Sequence, residues 1–99
     1  MSEKFMPRAL SSALRDMGEN LTTWRKLRQI TAHQLADRAG VSINTVLRLE
    51  SGKSSNVESL FRVARALGIL DEVNAAFDPF LTDVGRLRAD KALPQRVRN

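Results

Sequence analysis

There is no cysteine and no tyrosine in the 99 residues, and histidine occurs once. The first absence excludes disulfide frameworks and cysteine-based zinc sites. His33 has no second imidazole or thiol with which to share a metal, and it is read as a solvated residue near a helix start. Glycine (5) and proline (3) are sparse, and strand-like runs of β-branched residues are missing, which favours an all-α chain. No apolar run approaches the roughly 20 residues of a membrane span. The N-terminus lacks the apolar stretch of a secretion signal, so the expected compartment is the cytoplasm. General acid–base or nucleophilic catalysis needs oriented partners. With one histidine, no thiol and no glycine-rich phosphate loop, the chain reads as a non-enzyme with no cofactor and no metal. Aromatics are also few: Phe5, Trp24, Phe61, Phe77 and Phe80. They are assigned to the interior, Trp24 with Met17 and Leu21 in the core. That assignment argues against single-stranded RNA, whose binders display stacking aromatics.

What is present is a hydrophobic fraction of 42%, enough for one modest core, and a net charge of +5 that is unevenly placed. Residues 1–19 cancel. Residues 20–65 carry eight basic side chains, among them Arg25, Arg48 and Lys53, against Asp37, Glu50 and Glu58. Residues 66–85 carry only Asp71, Glu72, Asp78 and Asp83, and residues 86–99 return to positive charge. A basic body, an acidic segment and a basic tail suit a polyanion on the body and a protein contact further on.

Leu10, Leu14, Met17, Leu21 and Trp24 recur every three or four positions, a helical stripe broken only by Gly18 and Asn20. Either one helix runs from about 8 to 28, or it breaks near 18–20; the single helix is the preferred reading. Thr31 opens the next helix with a T-x-x-Q capping box to Gln34, and Ile30 and Leu35 form a hydrophobic staple. Gly40 stops that helix, Ser42 caps a third helix to about Glu50, and "SGKSS" ends it. Asn56 caps a fourth helix that carries Leu60, Val63, Ala64 and Leu67 on one face and stops at Gly68. Ile69, Leu70, Val73 and Phe77 form a short fifth amphipathic helix. Asp78-Pro79 can start a further turn or two, and the ending after Lys91 has no helical stripe and is expected to be mobile.

The short link Ala39-Gly40-Val41 cannot leave two helices in line. It forces the third helix across the second, and Leu35, Ala36, Ala39, Val41, Val46 and Leu49 can bury the crossing. This is helix-turn-helix geometry, in which the second of the two helices can enter a DNA major groove. Its outer face is expected to hold Ile43, Asn44, Leu47 and Arg48. Asn pairs with adenine, Arg with guanine, and Ile43 can pack on a thymine methyl. Leu47 is either another methyl contact or packing beside Arg48. Arg62 and Arg65 are read as a solvated face.

At these residues the sequence resembles the Xre/Cro-type helix-turn-helix repressors over about 21–77. The match rests on Arg25, Leu35-Ala36, Gly40-Val41-Ser42, Leu49-Glu50, Gly52-Lys53 and Ala66-Leu67-Gly68. The resemblance implies a five-helix, lambda-repressor-like domain that binds double-stranded operator DNA as a homodimer. It implies base or adjacent backbone contacts from Ser42, Ile43, Asn44 and Arg48, phosphate contacts from Ser51 and Lys53, and an Arg25–Glu50 ion pair. Several members carry Gln where this chain has Ala32, so phosphate binding at that helix start falls to the Thr31, His33 and Gln34 region and its N–H groups. The segment "RALGILDEVNAAFDPF…LPQRVR" resembles HipB-type antitoxins, which implies a HipA-like serine/threonine kinase toxin as partner; a stand-alone repressor is the alternative. The domain organisation expected is a helical extension over 1–20, the DNA-binding domain over 21–77 and a C-terminal extension with a basic tail over 78–99. Leu70, Val73, Phe77, Leu81, Val84 and Leu87 are the expected dimer or partner contact.

Overall fold

A computed structural model describes residues 5–93. Every regular element among them is helical: α1 (Arg8–Leu27), α2 (Ala32–Ala39), α3 (Ile43–Glu50), α4 (Val57–Leu67), α5 (Leu70–Ala75), a 3₁₀ turn (Pro79–Leu81) and α6 (Asp83–Ala92). Of the ending after Lys91 expected to be mobile, residues from 94 onward lie outside the described range.

Helix starts follow their capping chemistry. Thr31 Oγ1 accepts from Gln34 N at 3.1 Å while Gln34 Oε1 accepts from Thr31 N at 2.8 Å, a complete capping box. Asn56 Oδ1 accepts from Ser59 N at 2.7 Å to start α4. Each cap satisfies a backbone donor at a helix start that has no partner within the helix. Thr31→Ala should therefore cost about 1 kcal/mol in urea unfolding. An unchanged midpoint would show that the box adds nothing.

Leu35, Val46, Val63 and Leu67 are fully enclosed, one or two from each of α2, α3 and α4, and each contributes about 1.5–3 kcal/mol by leaving water. Ala36 and Ala39 of α2 and Ala64 of α4 are buried among them, and their small side chains let those helices approach closely. Leu21 of α1 and Ile69, just before α5, belong to the same buried cluster.

α1 is a single unbroken helix, so the expected domain start at 21 falls inside it. Gly18 is the reason it can be continuous and still pack. A Cβ there would lie 2.6 Å from Glu50 O, 2.7 Å from Gly52 N and 2.8 Å from Leu49 O, so α1 rests directly on the backbone at the end of α3.

Three features depart from the sequence reading. Trp24 is 37% exposed rather than enclosed in the core, with Arg28 stacked over its ring at 5.4 Å. Arg28 is held there because its Nε donates to Leu67 O at 2.9 Å, capping the end of α4. Phe5, Phe77 and Phe80 are exposed as well, so the aromatics are not an interior set. α5 ends at Ala75, which leaves Phe77 in the following turn, and the chain then forms a ten-residue α6 where only a turn or two was expected.

α6 packs substantially only on the 3₁₀ turn. The radius of gyration is 17.0 Å, against about 13 Å for a compact chain of this length. The extra radius reflects an elongated outline, 48 × 35 × 21 Å, with α6 carried off the core.

Candidate nucleic-acid interface

Gly40 closes α2 in the left-handed region at φ 72°, and Val41 N donates back to Ala36 O at 3.1 Å. A β-carbon at that φ is disfavoured, so glycine sets the turn. Ser42 then starts α3: its hydroxyl accepts from Thr45 N at 3.1 Å and shares a hydrogen bond with the Thr45 hydroxyl at 3.0 Å. The Ser42 side chain is thus engaged in holding the helix start.

Burying Val46 and Leu49 fixes the rotation of α3. Asn44, Leu47 and Arg48 face outward, and with Ser51 and Lys53 they line one shallow open groove. Ile43 does not join them. It precedes Val46 by three residues, on the same helical face, and is half-buried against the core.

Arg48 is positioned from behind. Its Nε donates to Ser54 O at 3.1 Å, and Nη2 lies 3.5 Å from Ser54 Oγ, so the side chain lies toward the loop after α3. Ser51 Oγ donates to Leu47 O at 2.7 Å. Gly52 at φ 74° and Lys53 end the helix through Gly52 N to Leu49 O at 3.1 Å and Lys53 N to Arg48 O at 2.9 Å. The Lys53 side chain is exposed beside the groove. At the start of α2, His33 is exposed, and Thr31 and Gln34 are engaged with each other in the capping box rather than with the α3 surface.

Arg25 and Glu50 meet in a two-pronged ion pair. Nε donates to Oε2 at 2.7 Å and Nη2 to Oε1 at 3.2 Å, while Nη1 donates to Ile30 O at 3.1 Å. Their side chains are 16% and 11% exposed. The hydrogen bond to Glu50 holds the Arg25 guanidinium above its already high pKa, against the opposing effect of burial. The pair joins the end of α1 and the loop before α2 to the last residue of α3.

The expected dimer or partner stripe is divided. Leu70 and Val73 are half-buried on the body, whereas Phe77, Leu81, Val84 and Leu87 are exposed on the extension. Sequence reasoning did not single out Ser54, Gly18 or Arg28 for their supporting roles. For Gly18 the signal was present, since an isolated glycine inside a helical stripe marks a close approach. Nothing local in "SGKSS" marks Ser54 as the partner of Arg48.

A capped helix, a glycine-set turn and a second capped helix with a polar, cationic outer face define a helix-turn-helix protein. The chain belongs to the Xre/Cro-type helix-turn-helix family, whose model matches residues 21–72, more than half of its length. It is a DNA-binding regulator of that type. No curated protein and no solved structure gives a match. Among the described residues no helix is long and apolar enough to cross a membrane.

Proposed function

We propose that this chain is a sequence-specific repressor that binds a two-fold symmetric operator as a homodimer. The observation that carries this reading is the outer surface of α3, where Asn44, Leu47, Arg48, Ser51 and Lys53 line one open groove beside a helix held rigidly at both ends. The two α3 helices would lie in successive major grooves about 34 Å apart. Asn44 and Arg48 supply base discrimination, with Leu47 against a thymine methyl. Lys53 supplies phosphate attraction, joined by Ser51 and by the α2 start at Thr31, His33 and Gln34. Ser42 contributes from the α3 cap, and Ile43 supports the surface from beneath.

The test is fluorescence anisotropy on a selected operator and on random duplex across a salt series. Arg48→Ala should cost about 1–3 kcal/mol on the operator and relax one base position, with far less change on random DNA. Lys53→Ala should weaken both alike and reduce the salt slope by about 1. Equal losses on operator and random DNA for Arg48→Ala would remove that residue from base reading.

The finer reading is an antitoxin that represses its own operon and binds a HipA-like serine/threonine kinase. It is supported by the resemblance of the segment from Arg65 onward and by the apolar surface at Phe77, Phe80 and Leu81. A stand-alone repressor uses the same DNA surface and keeps the extension for its own assembly. Affinity capture from native cells after nuclease treatment separates the two: a stoichiometric kinase-sized partner supports the antitoxin, and homodimer alone supports the stand-alone repressor.

A further inference from the structure

The body has a groove, and α6 carries a surface that complements it without reaching it. The groove runs between α1 and the α4–α5 pair, holds about 470 Å³ and is walled mainly by Met17, Leu21, Trp24, Leu60 and Val73. Its polar lining residues are Asp16 and Asn20, both on α1. One more exposed carboxylate, Glu72 on α5, follows the groove-lining Ile69 by three residues.

On α6, Val84, Leu87, Arg88 and Lys91 are spaced to share one face. Val84 is 68% and Leu87 78% exposed, and the two cations lie beside them. The opposite face is committed. A side chain at Gly85 would overlap the Pro79 carbonyl, and Ala89 is half-buried. Thr82 Oγ1 donates to Pro79 O at 2.6 Å, Gly85 N donates to Thr82 Oγ1 at 3.0 Å, and Arg86 Nη1 donates to Phe80 O at 3.0 Å. Backbone bonds from Phe77 to Asn74 O at 3.1 Å and from Asp78 to Ala75 O at 3.0 Å carry hydrogen-bonded turns from α5 into this corner. The corner therefore fixes the direction of α6 away from the core, and its apolar pair has no cover among the described residues.

We propose that α6 of one copy occupies the α1/α4–α5 groove of a second copy, reciprocally. A two-fold interface requires both halves of the contact on one chain, and this chain has both. The apolar pair meets apolar walls, and the cations Arg88 and Lys91 meet the carboxylates of Asp16 and Glu72. This deepens the homodimer of the proposed repressor by naming the surface that joins the copies.

Sedimentation velocity of the full chain without DNA should show a dimer at micromolar concentration. Leu87→Asp should weaken association about tenfold or more, since it removes a buried leucine and sets a carboxylate against carboxylates. Leu87 is exposed within its own chain, so helicity by circular dichroism should be unchanged. The natural absence of cysteine permits a direct second test. Ala13→Cys, at the groove edge, and Leu87→Cys are made in separate chains, mixed and treated with a short bis-maleimide. A heterodimeric product supports exchange. A monomeric wild type, a dimer unaffected by Leu87→Asp, or crosslinking of the Ala13→Cys/Leu87→Cys double variant only within single chains each overturns it. DNA is absent throughout, so failure here leaves the operator-binding test independent.

Discussion

Gly18→Ala should destabilise the protein by about 2–3 kcal/mol, read as a lower urea midpoint at unchanged slope. Helix propensity alone gives the opposite sign, because alanine is better than glycine inside a helix by about 1 kcal/mol. The structure reverses this through three backbone atoms that lie 2.6–2.8 Å from where the new methyl would sit. Backbone at the end of α3 cannot turn aside as a flexible side chain can, so α1 must lift from α3 to admit the methyl. Leu21, one turn along α1, would lose part of its burial in the same movement. A stabilised Gly18→Ala protein would show that α1 does not rest on α3 in solution.

Glu50→Ala should cost about 3 kcal/mol, near the lower end of what removing one partner from a buried ion pair costs. The pair's residual exposure of 16% and 11% keeps it from the upper end. The loss comes mainly from what remains: Arg25 keeps its charge, still holds Ile30 O, and has lost its carboxylate. A double replacement by methionine, Arg25→Met with Glu50→Met, should be less costly than Glu50→Ala because no charge is left enclosed. The two single methionine variants complete a double-mutant cycle with a large coupling. Additive losses around that cycle would reduce the pair to an incidental contact.

Helix starts and stops were legible because they depend on chemistry within three or four residues. Thr31 with Gln34, Ser42 with Thr45, Asn56 with Ser59, and the glycines at 40 and 68 all act locally. Rotation of the helices was legible only in part. The inward placement of Val46 and Leu49 followed from periodicity, but Ile43 was set on the outer face, although its spacing from Val46 turns it toward the core. The exposure of Trp24 was not legible, because it depends on Arg28 reaching 39 residues along the chain to the Leu67 carbonyl. Hydropathy placed the tryptophan inside; an arginine and a half-open groove hold it at the surface. α6 was under-read for a related reason. Its start is held by the Thr82 cap and the Arg86 latch, whereas its two large apolar residues, Val84 and Leu87, form too narrow a stripe to announce a helix.

The bond from Arg48 to Ser54 bears on how an operator would be selected. A free arginine samples many rotamers and can bend toward whichever base offers an acceptor, giving up that freedom on binding. Here the guanidinium is hydrogen-bonded at Nε before any DNA arrives, which favours one orientation of its remaining N–H groups. In the proposed complex such a side chain would follow a displaced guanine less readily than a free one. Discrimination would then come less from the number of contacts than from how far Arg48 is oriented in advance.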